Sequence, residues 1–179
     1  YNIKFINNQI VTRARNMICS IFMEDDSFTH LLFIDADIDW KPIYVLNLIE
    51  HDLECVIGIY PLKKYYKDNV TKPSSQISYP KIQKQNLVKI DMAATGFMLI
   101  KKSALIKIQK DVEIFNLPST SKGKDIELYN YFDCKVVNKN YLTEDYYFSY
   151  LLKKNGGEIW ADTRIKLGHV GAHTYGELI

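Results

Sequence analysis

The sequence predicts an α/β fold, with residues 1–179 forming one domain around a mostly parallel central sheet flanked by helices. Three observations carry this. The segment His30–Ile34 (HLLFI) is almost continuously apolar, as in strands buried on both faces of a parallel sheet. Strand-like and helix-like patterns alternate from the first residues to Tyr60. A well-punctuated helix then precedes a last apolar strand, Glu158–Asp162.

Each element can be justified in turn. Ile3–Ile6 (IKFI) reads as a short strand. Ile10, Ala14, Met17, Ile18 and Ile21 then form a helical stripe, with Arg13, Asn16 and Ser20 on a separate polar face. After HLLFI, Pro42 suits the first turn of a helix that Ile43, Leu46, Ile49 and Leu53 continue. Cys55–Tyr60 (CVIGIY) is the next strand. Pro61–Asn86 is rich in Lys, Tyr, Ser, Pro and Gln and lacks periodicity, so Lys63–Gln85 is expected to be a mobile loop that covers a site. Phe97–Ile100 reads as a strand, and Gly96 before it marks a close backbone approach or a bulge. Pro118–Asn130 is again irregular. The next helix has Thr143 as N-cap, acids in its first turn, lysines in its last and glycines beyond.

Composition narrows the function. The chain is 47% hydrophobic and 25% charged, in the range of ordinary globular proteins. A net charge of +2 does not argue for nucleic acid or an anionic membrane surface as partner. No apolar run is long enough to span a bilayer, and no signal-peptide pattern opens the chain. The three cysteines, Cys19, Cys55 and Cys134, are odd in number and lie in apolar surroundings, which fits reduced thiols and a cytoplasmic setting.

The chemistry should lie where HLLFI runs into Asp35, Asp37 and Asp39 (HLLFIDADIDW). An extended segment would put the three acids on one face, where they repel unless a cation sits between them. Hard oxygen ligands suit Mn²⁺ or Mg²⁺, and Mn²⁺ also accepts an imidazole. A carboxylate-bound divalent ion commonly neutralises phosphate oxygens, so a nucleotide diphosphate is the natural partner. Two further clusters could close on the same cleft: Thr143-Glu144-Asp145, and His169 with His173 and Tyr175. Arg13 and Asn16 could aim a guanidinium and an amide at donor phosphate or ribose.

Four segments in this order resemble GT-A-fold (Rossmann-like) glycosyltransferases, which move a sugar from a nucleotide-sugar donor. FIDADI is similar to their Asp-x-Asp motif, and ATGFMLIKKSAL to the mid-domain strand beside the acceptor site. TEDYYFSYLLKKNGGEIW resembles their downstream acidic segment and helix, and LGHVGAHTYG the C-terminal segment that often supplies a metal-binding histidine. In the family a nucleotide-binding strand and helix lie well ahead of the Asp-x-Asp. Only 34 residues precede Asp35, so an upstream segment is expected beyond this chain.

The resemblance implies a metal-dependent glycosyltransferase using a nucleotide-diphosphate sugar and a carbohydrate or other hydroxyl acceptor, with Mn²⁺ or Mg²⁺ as cofactor. Asp37 would ligate the metal, His169 would complete the site, and Asp35 would contact the metal or the donor. Gly96, His173 and Tyr175 would lie with Arg13 and Asn16 on the donor side. Asp145, with Glu144 as the alternative, would take the proton of the attacking hydroxyl in an inverting enzyme. Two other functions compete. One is a non-catalytic nucleotide- or carbohydrate-binding module of the same fold. The other is a haloacid-dehalogenase-like phosphatase, whose downstream pattern GGEIWAD fits poorly.

Overall fold

The computed structural model describes residues 1–4, 10–63, 72–79, 81–117, 126–171 and 174–175. Helix α1 (Val11–Glu24) leads into β1 (His30–Ile34), β2 (Ile38–Asp39), α2 (Pro42–Glu50) and β3 (Cys55–Ile57). Next come β4 (Gln76–Ile77), β5 (Gln83–Lys84), β6 (Leu87–Met92), β7 (Phe97–Lys101) and α3 (Lys102–Ile108). The chain continues through β8 (Ile114–Leu117), β9 (Ile126–Tyr129), β10 (Lys135–Val137) and β11 (Asn140–Leu142). It then forms α4 (Glu144–Lys154), β12 (Ile159–Asp162), β13 (Gly168–Val170) and β14 (Thr174–Tyr175).

The main sheet has seven strands in the order β1-β7-β3-β12-β6-β4, with β5 also on β6. Its strands are mostly antiparallel, which overturns the parallel, Rossmann-like sheet expected from the sequence. Only β3 and β12 pair in parallel among the described strands. β7 lies antiparallel to β1 on one side and to β3 on the other. Continuous hydrophobicity reports burial on both faces, and it carries no information about the direction of the neighbouring strand.

Burial on both faces belongs to the central strands β3 and β7; β1, at the edge of the sheet, buries only Phe33 and leaves its other four residues half-buried. On β3 and β7, Cys55, Ile57, Met98 and Ile100 pack into a cluster with Cys19 and Phe22 of α1, Leu105 of α3 and Phe148 of α4. Val56, Phe97 and Leu99, the alternate positions, pack instead with Ile38 and with Tyr44 and Leu48 of α2. The sheet thus separates two apolar layers, with α2 alone among the four helices on the second. Buried Cys19 and Cys55 are free thiols whose burial pushes their pKa well up, whereas Cys134 is half-buried.

Two helices turn differently from their sequence stripes. α1 buries Arg15, Asn16, Cys19, Ser20 and Phe22, and leaves Ile10 and Ile21 exposed. α2 buries Tyr44 and Leu48, and leaves Ile43, Leu46 and Ile49 exposed. The expected strand Ile3–Ile6 lies partly outside the described residues. The loop expected over Lys63–Gln85 lies outside the described residues at 64–71 and 80, and its second half carries β4 and β5. No helix is long and apolar enough to cross a membrane among the described residues.

Candidate functional site

The mixed sheet still gathers its chemistry at one edge. Because β1 and β3 each oppose β7, and β12 parallels β3, all three run the same way. Their carboxyl ends, together with the amino end of β7, share a rim. Asp35 leaves β1 there and donates its backbone N–H to the Gly96 carbonyl at 3.0 Å. The chain then turns sharply, with the Ile38 N–H reaching the Asp35 carbonyl at 3.1 Å. The three aspartates therefore do not form one extended face.

Each acid meets a different environment, and this is how they coexist. Asp35 faces Arg15, whose Nη2 lies 3.4 Å from both carboxylate oxygens. Asp37 accepts from Lys63 Nζ at 2.6 Å, and its same oxygen lies 3.4 Å from His169 Nε2. Partial burial works against the charged form of Asp37. The Lys63 hydrogen bond and the Lys63 and His169 charges outweigh that and hold the carboxyl below its usual range. Asp39 is exposed on β2 opposite Gly168, and solvent serves it.

His169 is fixed from three sides. β13 holds its backbone opposite Ile38. Tyr60 packs edge-on against the ring at 5.1 Å between centroids. Its Nδ1 lies 2.8 Å from the Pro61 carbonyl, which can only accept, so Nδ1 carries the hydrogen. Nε2 is the ring nitrogen left to turn toward Asp37. A backbone carbonyl that fixes the tautomer this way is the usual support for a metal-ligating histidine. Asp37 and His169 would offer one oxygen and one nitrogen to a divalent ion. No third His, Cys, Asp or Glu gathers with them into a metal-binding group among the described residues. Such an ion would need oxygens from another source to complete its shell.

A second pair of acids opens α4. Glu144 accepts from Arg15 Nη1 at 2.6 Å, so one guanidinium, itself only 7% exposed, holds Asp35 and Glu144 together. Thr143 occupies the N-cap position, but its hydroxyl donates to Asp145 and accepts no N–H of the helix backbone. Asp145 also accepts from the Tyr146 N–H at 2.8 Å. Burial pushes the Asp145 carboxyl above its ordinary range, with the Glu144 charge adding to it. The Thr143 and Tyr146 hydrogen bonds and the Arg15 charge only partly offset this. A carboxylate made more basic is the kind that can accept a proton near neutral pH.

Tyr60 links these groups. Its hydroxyl accepts the Gly96 N–H at 3.1 Å, and a Cβ on Gly96 would sit 2.6 Å from that oxygen. Gly96 therefore serves as the close approach expected of it, bonded to Asp35 on one side and Tyr60 on the other. Burial raises the Tyr60 pKa, and the nearby Asp35 and Asp145 charges add to the effect.

Other expected residues fall elsewhere. Asn16 is buried, and its amide spans the Phe132 backbone, accepting at 2.8 Å and donating at 2.9 Å, besides bonding Asn130. It is a strap between α1 and that segment rather than a free donor group. Arg13 is exposed on α1. Tyr175, on β14, pairs by its backbone with His169 on β13, and His173 lies outside the described residues.

Sequence reasoning missed Arg15, Tyr60 and Lys63. The signal for Arg15 was available: it precedes Cys19 and Phe22 by four and seven positions, one helical face. Tyr60 ends a predicted strand and Lys63 follows it, where ligands of open α/β sheets gather. A separate concavity lies at the opposite end of β1, lined by His30, Asp52, Lys101 and Lys102. Its two lysines are already paired, with Asp52 and Asp26.

No protein-family model matches the chain, and no curated protein matches it. The chain is similar in fold to the crystal structure of A197 from STIV, with a TM-score of 0.52 at 15% sequence identity. The match covers 96% of this chain and 78% of that one.

Proposed function

We propose that the chain is a metal-dependent glycosyltransferase that moves a sugar from a nucleotide-diphosphate sugar to an acceptor hydroxyl. One observation carries this reading: Asp37 and His169, distant in sequence, meet with the histidine tautomer set for ligation. These two residues would hold Mn²⁺ or Mg²⁺. When bound, the ion supplies charge neutralisation for a departing diphosphate. Asp35, fixed by Arg15 and the Gly96 carbonyl, positions the donor beside that seat. Asp145 takes the proton from the acceptor hydroxyl, a role its raised basicity supports. Glu144, held by Arg15, is a positioning residue.

A second reading has one specific observation behind it. Lys63 already neutralises Asp37 without a metal, as it would in a non-catalytic nucleotide- or carbohydrate-binding module. Incubation with a panel of nucleotide sugars, Mn²⁺ and simple sugar acceptors separates the two. Release of nucleoside diphosphate supports the transferase, and saturable binding without release supports the module. Release of inorganic phosphate would sink both in favour of a phosphatase.

A further inference from the structure

The strongest unexplained feature of the rim is the place Lys63 occupies. Its Nζ donates to Asp37 Oδ2 at 2.6 Å, and the same oxygen faces His169 Nε2 at 3.4 Å. Asp37 and His169 would hold a divalent ion with that same oxygen and nitrogen, at the place the ammonium now takes. Were the ammonium to stay, the two cations would repel. Lysine and metal are thus alternative occupants of one seat.

The surroundings allow an exchange. Pro61 is pinned by the His169 ring at its carbonyl and by a bridge to Pro73, and the Leu62 N–H donates to the Lys72 carbonyl at 2.8 Å. The backbone is therefore held at Pro61 and Leu62, directly ahead of Lys63. Its side chain is 33% exposed and that of Asp37 46% exposed, so the ammonium can leave into solvent. A half-exposed pair of this kind adds little to folding stability, which leaves it free to serve binding. A compact charge on a flexible stem is suited to such a move.

Resting on the metal-dependent reading above, we propose that Lys63 is a tethered competitor for the cation seat at Asp37. It keeps the metal weakly bound until a nucleoside diphosphate arrives and gives the ammonium phosphate oxygens to turn to. The device would discourage a metal-loaded site without donor, and it would strengthen the coupling between metal and nucleotide.

The experiment is a calorimetric titration of Mn²⁺ into the full chain, with water-proton relaxation as a second readout. Wild type, Lys63→Met, Lys63→Arg and Asp37→Asn are compared, each with and without uridine or guanosine diphosphate. Lys63→Met should bind Mn²⁺ alone roughly fivefold more tightly than wild type, the scale of a half-exposed ion pair. Lys63→Arg, which keeps the cation, should stay near wild type. The enhancement of Mn²⁺ affinity by nucleotide should shrink in Lys63→Met. Unchanged or weaker Mn²⁺ binding by Lys63→Met, with binding lost in Asp37→Asn, would overturn the competitor while leaving the metal site standing. Should Mn²⁺ bind wild type and Lys63→Met no better than Asp37→Asn, the metal-dependent reading itself fails.

Discussion

Arg15 and Glu144 meet at 2.6 Å, joining α1 to the first turn of α4 through a guanidinium that also faces Asp35. Removing the cation would leave two carboxylates on the rim with no counter-charge between them. Arg15→Ala should cost about 2–3 kcal/mol in chemical denaturation, the range for charged hydrogen bonds that lose a partner. Arg15→Lys should recover only part of this, because a single ammonium lacks the fork that spans both acids. Full stability in Arg15→Ala would show that the bridge is incidental.

Gly96 and Tyr60 give a sharper packing test. A Cβ at position 96 meets the Tyr60 oxygen at 2.6 Å and two ring carbons at 2.7 and 2.8 Å. Gly96→Ala should therefore destabilise by about 1–3 kcal/mol. Tyr60→Phe should not relieve it, since the ring carbons remain, whereas Tyr60→Leu should. A double-mutant cycle by thermal unfolding reads the coupling directly.

Asp145→Asn should slow sugar transfer by about a hundredfold or more, the scale of a lost general base, with donor affinity little changed. The raised pKa also sets a sign for stability. Between the ordinary carboxylate range and the raised value the folded state holds the extra proton, so stability falls as pH climbs through that window. Asp145→Asn should thus be more stable than wild type at neutral pH and lose this advantage in acid. The acid limb of the wild-type pH–rate profile should lie above the ordinary carboxylate range. Near-normal turnover in Asp145→Asn, with turnover abolished in Glu144→Gln, would assign the base to Glu144.

Calorimetry of nucleoside diphosphate binding with and without Mn²⁺ tests the rim as a unit. Each ligand should raise the affinity of the other by the same factor. Asp37→Ala should abolish this coupling, His169→Ala should weaken it, and exposed Asp39→Ala should matter least. Equal nucleotide affinity with and without Mn²⁺ in wild type would remove the metal from the proposal.

Much of this fold was legible in the sequence, and the failures have definite causes. CVIGIY and EIWAD announced themselves as buried strands because their apolar cores leave no polar alternation, whereas HLLFI, read the same way, is an edge strand that buries only Phe33. Their directions were not announced, because the antiparallel partner β7 is equally apolar. The stripe Ile43, Leu46 and Ile49 fitted helical spacing, yet Tyr44 and Leu48 face the sheet; periodicity fixes a helix and not its rotation. The resemblance placed Asp37 and His169 at one site, and the two side chains lie 3.4 Å apart. The spacing of Arg15 to Cys19 and Phe22 put it on the core-facing side of α1, but its role became visible only once Asp35 and Glu144 were placed around it. The single-face arrangement of Asp35, Asp37 and Asp39 failed because the Ile38 N–H closes a turn onto the Asp35 carbonyl.

The three thiols supply an internal clock for the opening of this molecule. Cys19 and Cys55 are buried on opposing elements of one apolar layer, and a thiol there is inert to alkylating reagents until water reaches it. Cys134, half-buried ahead of β10, can be labelled from the native state. A pulse of iodoacetamide followed by mass analysis would therefore count local breathing at one cysteine and cooperative disruption of the α1–β3 layer at the other two. Any ligand seated on the rim should slow the second signal and leave the first almost untouched.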